Sequence, residues 1–304
     1  MKNKMKILAP LFLLFISITW VACTGSTSEK EKMSQFEGVL KLGVEESVTP
    51  TFREIVKVYD SSFPKVEVQV EYDFESQMIE SLMKDSLKII IVTRDITEEE
   101  KAYSEQNRFV LKSMAIAKDA VAVIGHPENV DSMMRVSQLK SILEGTFTRS
   151  YKVVVNNSRG SIARYLSDEV ADRNTWSENV YSEENYEDII DFVNNNKNSI
   201  GILPVNFLYS GESKDGMPLF RDDVNVVPLY NDSINKFVLP YQAYIALEEY
   251  PLTRTIYFVN RDNRQVPSTG FANFLTSEPA QLLFKKAMFV PLKSQLILRP
   301  VEIK

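Results

Sequence analysis

The chain has a single cysteine and a single histidine in 304 residues. The lone Cys23 excludes an intramolecular disulfide. With His126 as the only imidazole, most metal sites and most nucleophile triads are excluded as well, so neither a metal nor a cofactor is expected. Glycine is scarce at 10 residues, about half the usual share. The sequence has no P-loop, no G-x-G-x-x-G and no G-x-S-x-G. Its acidic residues gather in helix-like stretches such as SEENYEDIID, where a solvated face explains them better than paired acid–base work. A hydrolase is therefore the weakest reading, and the chain is expected not to be an enzyme. Positive charge is also short: 35 Lys and Arg against 41 Asp and Glu give a net charge of −6. Such a chain is a poor partner for nucleic acid. An anion would have to be held by local dipoles and a few positioned charges, not by the overall field.

The main apolar stretch is ILAPLFLLFISITWV at residues 7–21, short for a membrane span but suited to the core of a leader. It follows MKNKMK and ends at Ala22-Cys23, a pattern that looks like a bacterial lipobox although Trp20 stands where Leu is usual. The expectation is a signal peptide over 1–22 and a lipidated Cys23. The polar TGSTSEKEKMSQ stretch would follow as a tether over 23–35. This places the protein in the cell envelope, lipid-anchored, facing the periplasm or the cell surface. Lys2, Lys4 and Lys6 leave with the leader, so the remainder is more acidic still.

Beyond the tether, strand and helix patterns alternate. GVLKLGV and KVEVQVEY read as strands, and KIIIVTRDIT opens as a continuous apolar run suited to a strand covered on both faces. TPTFREIVKVYDSSF and FESQMIESLMKDS carry apolar residues at helical spacing. DAVAVIGHP, KVVVNN, SIGILPV and VNVVPLY continue the strands, with VSQLKSILEG and ENYEDIIDFVNNN as helices between them. The segment 240–260, PYQAYIALEEYPLTRTIYFVN, reads as strand-rich. This alternation implies an α/β protein with mainly parallel sheets. Ligands then sit beyond the carboxyl ends of the strands.

Three strand-to-helix loops there are rich in hydroxyls and charge: VEESVTP, VTRDITEEE and NNSRGSI. In the last, Ser158-Arg159-Gly160-Ser161 precedes a helix whose first N–H groups have no intrahelical partner. Ser158 and Ser161 can donate, Gly160 permits close approach, and Arg159 or Arg164 offers a fork to an oxyanion. The plainer alternative is that Ser158 is only an N-cap. Thr93 and Arg94 stand at the mouth of the second loop, where Thr97 and Glu100 match a capping box. Ser47 is the donor of the first loop.

These loops on an exported, tethered chain resemble those of a periplasmic solute-binding protein. GVEESVTP, VTRDIT, KDAVAVIGHPEN, SQLKSILEGTF, NNSRGSIARYL, NSIGILPVNFL, YPLTRTIYFVN and GFANFLTSEPAQLLFKKAMFVPL follow the order seen in PstS-like phosphate-binding lipoproteins of ABC transporters. The resemblance implies a two-lobe, type II periplasmic-binding-protein-like fold, with 36–119 plus 243–304 as one lobe and 120–242 as the other. Crossovers would lie near DAVAVI and YQAYIAL. It implies a monomer that captures phosphate or a related oxyanion between the lobes and delivers it to an ABC permease, with membrane contact only through the lipid. The implied contacts are Ser47, Thr93, Arg94, Ser158, Arg159, Gly160, Ser161 and Arg164. The family's acidic acceptor has no clear counterpart; Asp95, Glu45 and Glu46 are the candidates. Two loops depart from the pattern. Val44-Glu45-Glu46-Ser47 stands where the family has Gly, Ser and Thr, and Asn156-Asn157 stands where it has an arginine. The alternative is the same fold used as a sensor or surface binding module for another ligand, such as an organophosphate or a peptide.

Overall fold

The computed structural model describes residues 34–129, 132–171, 176–214, 218–261 and 266–292. The segment expected as a leader, and Cys23, lie outside them. The described residues make one compact unit. Strand and helix alternate through β1 (Gly38–Glu45), α1 (Thr49–Ser62), β2 (Val66–Asp73), α2 (Glu75–Met83), β3 (Ile89–Val92) and α3 (Glu98–Gln106). A 14-residue strand, β4 (Lys112–Gly125), leads to α4 (Val136–Leu143), β5 (Lys152–Asn156), α5 (Ser161–Glu169), β6 (Val180–Glu183), α6 (Tyr186–Asn195) and β7 (Ser199–Pro204). Five short strands follow: β8 (Tyr209–Glu212), β9 (Pro218–Phe220), β10 (Asn225–Val226), β11 (Leu229–Asn231) and β12 (Lys236–Val238). The described chain ends with α7 (Gln242–Ala246), β13 (Thr253–Asn260), α8 (Pro267–Leu275), α9 (Glu278–Lys286) and β14 (Val290–Pro291).

The main sheet runs β2-β1-β3-β13-β4-β7-β5-β6. Pairing is parallel within β2-β1-β3 and within β7-β5-β6. Between these blocks lie β13 and β4, antiparallel to their neighbours. The first part of β4, Lys112–Ala120, pairs with β13, and Val121–Gly125 pairs with β7. One strand therefore serves both blocks.

Helices cover the sheet because their apolar stripes have nowhere else to go. Phe52, Ile55 and Tyr59 of α1 pack with Phe271, Phe274 and Phe284 against one face of β1 and β3. Met78, Ile79 and Leu82 of α2 take the opposite face with Ile90 and Val92. β3 thus divides its run between two cores, Ile89 and Ile91 in one and Ile90 and Val92 in the other. A third core gathers Val121–Ile124, Val153–Val155, Ile189, Ile190, Ile200 and Ile202.

Two stretches expected as strands differ. YQAYIAL is helical as α7, because Tyr241, Tyr244 and Ile245 lie at helical spacing and Ile245 is buried in the third core. VNVVPLY breaks at Pro228 into β10, which pairs with β4, and β11, which pairs with β12. Proline has no N–H to carry a ladder through that point. No helix among the described residues is long and apolar enough to cross a membrane.

Gly201 in β7 has no room for a side chain: an added Cβ would lie 2.7 Å from Ile189, 2.9 Å from Ile124 and 3.0 Å from Val193. Gly201→Ala is expected to cost about 1–3 kcal/mol by overpacking. Urea denaturation checks this, and an unchanged midpoint would show that α6 moves aside freely.

Candidate functional site

Four segments distant in sequence meet where the two blocks join. The turn after β1 brings Ser47, the end of β3 brings Thr93, the start of α5 brings Ser161, and β13 brings Arg254. All four are at least nine-tenths buried. Arg254 Nη2 donates to Ser47 Oγ at 3.2 Å and to Asp119 of β4. Its Nη1 donates to Ser161 Oγ at 3.1 Å and reaches Thr93 Oγ1 at 3.5 Å. Ser161 Oγ in turn donates to Ser47 Oγ at 3.2 Å. Three hydroxyls thus ring one guanidinium. Arg254 Nε has no hydrogen-bond partner and is buried.

The Arg254–Asp119 pair has no side-chain exposure. Burial works against the Arg254 charge, but Asp119 and Glu45 outweigh it and hold the guanidinium above its ordinary range. Burial likewise pushes the Asp119 carboxyl up, against the pull of Arg254.

Carboxylates from the first block complete the cluster. Glu45 is fully buried and accepts from Ser47 N at 3.0 Å and from the Ser47 hydroxyl. Glu75, 2% exposed, accepts from Thr93 N at 2.8 Å, Thr93 Oγ1 at 2.9 Å and Arg164 Nε at 2.6 Å. Glu46 Oε1 accepts from Ser161 N at 3.2 Å and from Asn156 Nδ2 at 3.1 Å. Gly160 leaves space for this carboxylate, since a Cβ there would sit 2.9 Å from Glu46 Oε1. Asn206 donates to the carbonyl of Ser47 at 3.2 Å.

The sequence-derived candidates divide into two sets. Ser47, Thr93, Gly160, Ser161 and Arg164 come together in the cluster. Arg94 stands at the edge: it forks onto Glu100 at 2.9 and 2.6 Å, and its Nε lies 3.7 Å from Glu75 Oε1. Glu100 is already fixed by the Thr97 capping box of α3. Ser158 and Arg159 are exposed, and Ser158 does not cap α5, whose N-cap is Gly160 with no side-chain cap. The Arg159 guanidinium lies 5.1 Å from the Phe74 ring centre. Asp95, exposed, accepts from the N–H of Ile96 at 2.7 Å. A groove of about 300 Å³ lined by Ser158, Arg164, Ser167 and Trp176 flanks α5 but does not include Ser47, Thr93, Ser161 or Arg254.

Arg254, Asp119, Glu75, Asn156 and Asn206 were not among the candidates. A signal existed for two of them. Arg254 occupies an inward register in the alternation Leu252, Arg254, Ile256, Phe258, all buried. Glu75 heads the buried stripe of Met78, Ile79 and Leu82, where an acid is out of place unless paired.

Burial first, and then repulsion from Glu46, push the Glu45 carboxyl well above its ordinary range, with Arg254 pulling the other way. The unfolded chain releases this proton near about pH 4.3. Above that pH folding takes up a proton, so stability falls as pH rises until the folded-state value is reached, by at most about 1.4 kcal/mol per pH unit. Glu45→Gln cannot titrate. Its stability relative to the parent is expected to grow with pH above about 4.3, as measured by denaturation at a series of pH values. A constant difference would show Glu45 ionised throughout.

The sequence profile of the PBP superfamily domain matches residues 25–279. No curated protein matches the chain in sequence. Among solved structures it is similar to a Clostridium perfringens putative phosphate ABC transporter substrate-binding protein with bound phosphate. That similarity is 20% identity over 84% of this chain and 100% of the other, with a TM-score of 0.71. An ABC-type phosphate transport receptor from Vibrio cholerae is 18% identical over 83% of this chain and 99% of the other, with a TM-score of 0.64. PstS from Borrelia burgdorferi is 20% identical over 85% and 100%, with a TM-score of 0.58. At these identities the matches establish the two-lobe α/β fold, and the profile, spanning most of the sequence, establishes kinship: the chain belongs to the PBP superfamily.

Proposed function

We propose that this chain is a solute-binding protein, not an enzyme, that takes phosphate or a related oxyanion into the cleft between two lobes and passes it to an ABC permease. The observation that carries the reading is the convergence of the Ser47, Thr93 and Ser161 hydroxyls on the buried guanidinium of Arg254. An oxyanion leaving water needs many donors to offset its lost hydration. This cluster offers hydroxyls, a guanidinium and the N–H groups at the start of α5. The phosphate receptors that share the fold support the same choice of ligand.

In this reading the lobes are 36–119 plus 243–304 and 120–242, with β4 and the chain entering β13 as the crossovers. Ser47 and Thr93 belong to the first lobe and Ser161 to the second, so a bound anion would touch both and favour the closed state. The lipid on Cys23 would hold the protein at the membrane, facing the periplasm or the cell surface, as a monomer. Glu75 supplies an acceptor for a proton carried by hydrogen phosphate, which sulfate lacks.

Isothermal titration of the chain from Ser34 onward, unfolded and refolded to strip carried ligand, tests this. Phosphate is expected to bind one to one and sulfate to stay silent. Ser161→Ala should weaken phosphate by about ten- to a hundred-fold, the loss of one hydrogen bond to a charged group at about 1.5–3 kcal/mol. Heat with neither anion, and heat with an organophosphate or a peptide, would move the assignment to the sensor or surface-module reading.

A further inference from the structure

We propose that Glu46 is a tethered oxyanion: its carboxylate holds the seat at the start of α5, latches the two lobes together, and must be displaced by any solute that binds there. The inference rests on the oxyanion reading for its ligand but not for its geometry.

The contacts are those a bound anion would make. Glu46 Oε1 accepts from the N–H of Ser161, the first residue of the nine-residue α5, and from Asn156 Nδ2. Unpaired N–H groups and the helix dipole favour negative charge at that point. No side chain of α5's own loop caps it. The cap comes instead from a residue 115 positions earlier. Asn156, 2% exposed, keeps Oδ1 without a hydrogen bond beside the same carboxylate, and Glu46 Oε2 is buried without a partner. Acceptors left idle mark a seat that the carboxylate fills without satisfying. Once the carboxylate leaves, a ligand with both donor and acceptor oxygens, such as hydrogen phosphate, could meet Asn156 Oδ1 as well as Nδ2.

Position turns this contact into a latch. Glu46 extends from the end of β1 in the first block, whereas Ser161 and Asn156 belong to the second. Glu75 repeats the arrangement, reaching from α2 to Arg164 of α5 at 2.6 Å. The hydroxyls are turned the same way. Ser47 donates to Glu45 and Thr93 donates to Glu75, so both spend on internal carboxylates the protons an incoming anion would take. A group tethered this close competes at an effective concentration of about millimolar or more. Apparent affinity falls in proportion to the fraction of molecules in which the seat is free.

The test compares the chain from Ser34 onward with its Glu46→Ala and Glu46→Gln variants, by phosphate titration and by small-angle scattering without added solute. Glu46→Ala is expected to bind phosphate at least tenfold more tightly, with Glu46→Gln between it and the parent. Without solute, Glu46→Ala should show a larger radius of gyration, which phosphate reverses. Equal or weaker phosphate binding by both folded variants would overturn the proposal. If no form binds phosphate, the oxyanion reading fails by itself. The latch then stands on the scattering: expansion in Glu46→Ala upholds it, and an unchanged radius overturns it.

Discussion

The fully buried ion pair between Arg254 and Asp119 is the constraint on which the site depends. It joins the two antiparallel strands between the parallel blocks and fixes the guanidinium around which the hydroxyls of Ser47, Thr93 and Ser161 gather. Such a pair contributes little net stability, because desolvation offsets most of the attraction. Removing either partner is a different matter, since a lone buried charge costs about 3–5 kcal/mol. The pair therefore specifies geometry more than it strengthens the fold.

Around that pair acids outnumber bases: Asp119, Glu45, Glu46 and Glu75 gather about Arg164 and Arg254. Glu75 meets Arg164 directly, Glu45 reaches Arg254 through Ser47, and Glu46 meets Asn156 and the start of α5. The sequence departs from the PstS-like pattern at just these places. Where that pattern has small hydroxylic residues after the first strand, this chain has Glu45 and Glu46. Where it has an arginine ahead of the oxyanion loop, this chain has Asn156 and Asn157. The departures are matched to one another, since Asn156 donates to Glu46.

Much of the fold was legible because its determinants are local. The continuous run of β3 implied cover on both faces, and it divides between two cores. Thr97 and Glu100, three residues apart, form the capping box their spacing suggested. The helix expected just after Ser158–Ser161 is there as α5, taking in Ser161 as its first residue. The site was legible only in part, because its pairings are not local. Asp119 and Arg254 are 135 positions apart, Glu75 and Arg164 are 89 apart, and no periodicity connects them. Arg94 shows both kinds of pairing: its fork goes to the nearby Glu100, while its Nε lies 3.7 Å from Glu75 Oε1 in the cluster.

The 14 residues of β4 carry a mechanical consequence. Its first part is bonded to β13 and its last five residues to β7, with no break between them. A continuous strand resists stretching, so the two halves of the molecule cannot part by sliding away from each other. The freedom left to them is rotation, taken up as twist along β4 close to Asp119. Rotation about an axis there would shift the exposed Arg159 of the second block against the half-buried Phe74 of the first, while the guanidinium of Arg254, paired with Asp119, would hardly move.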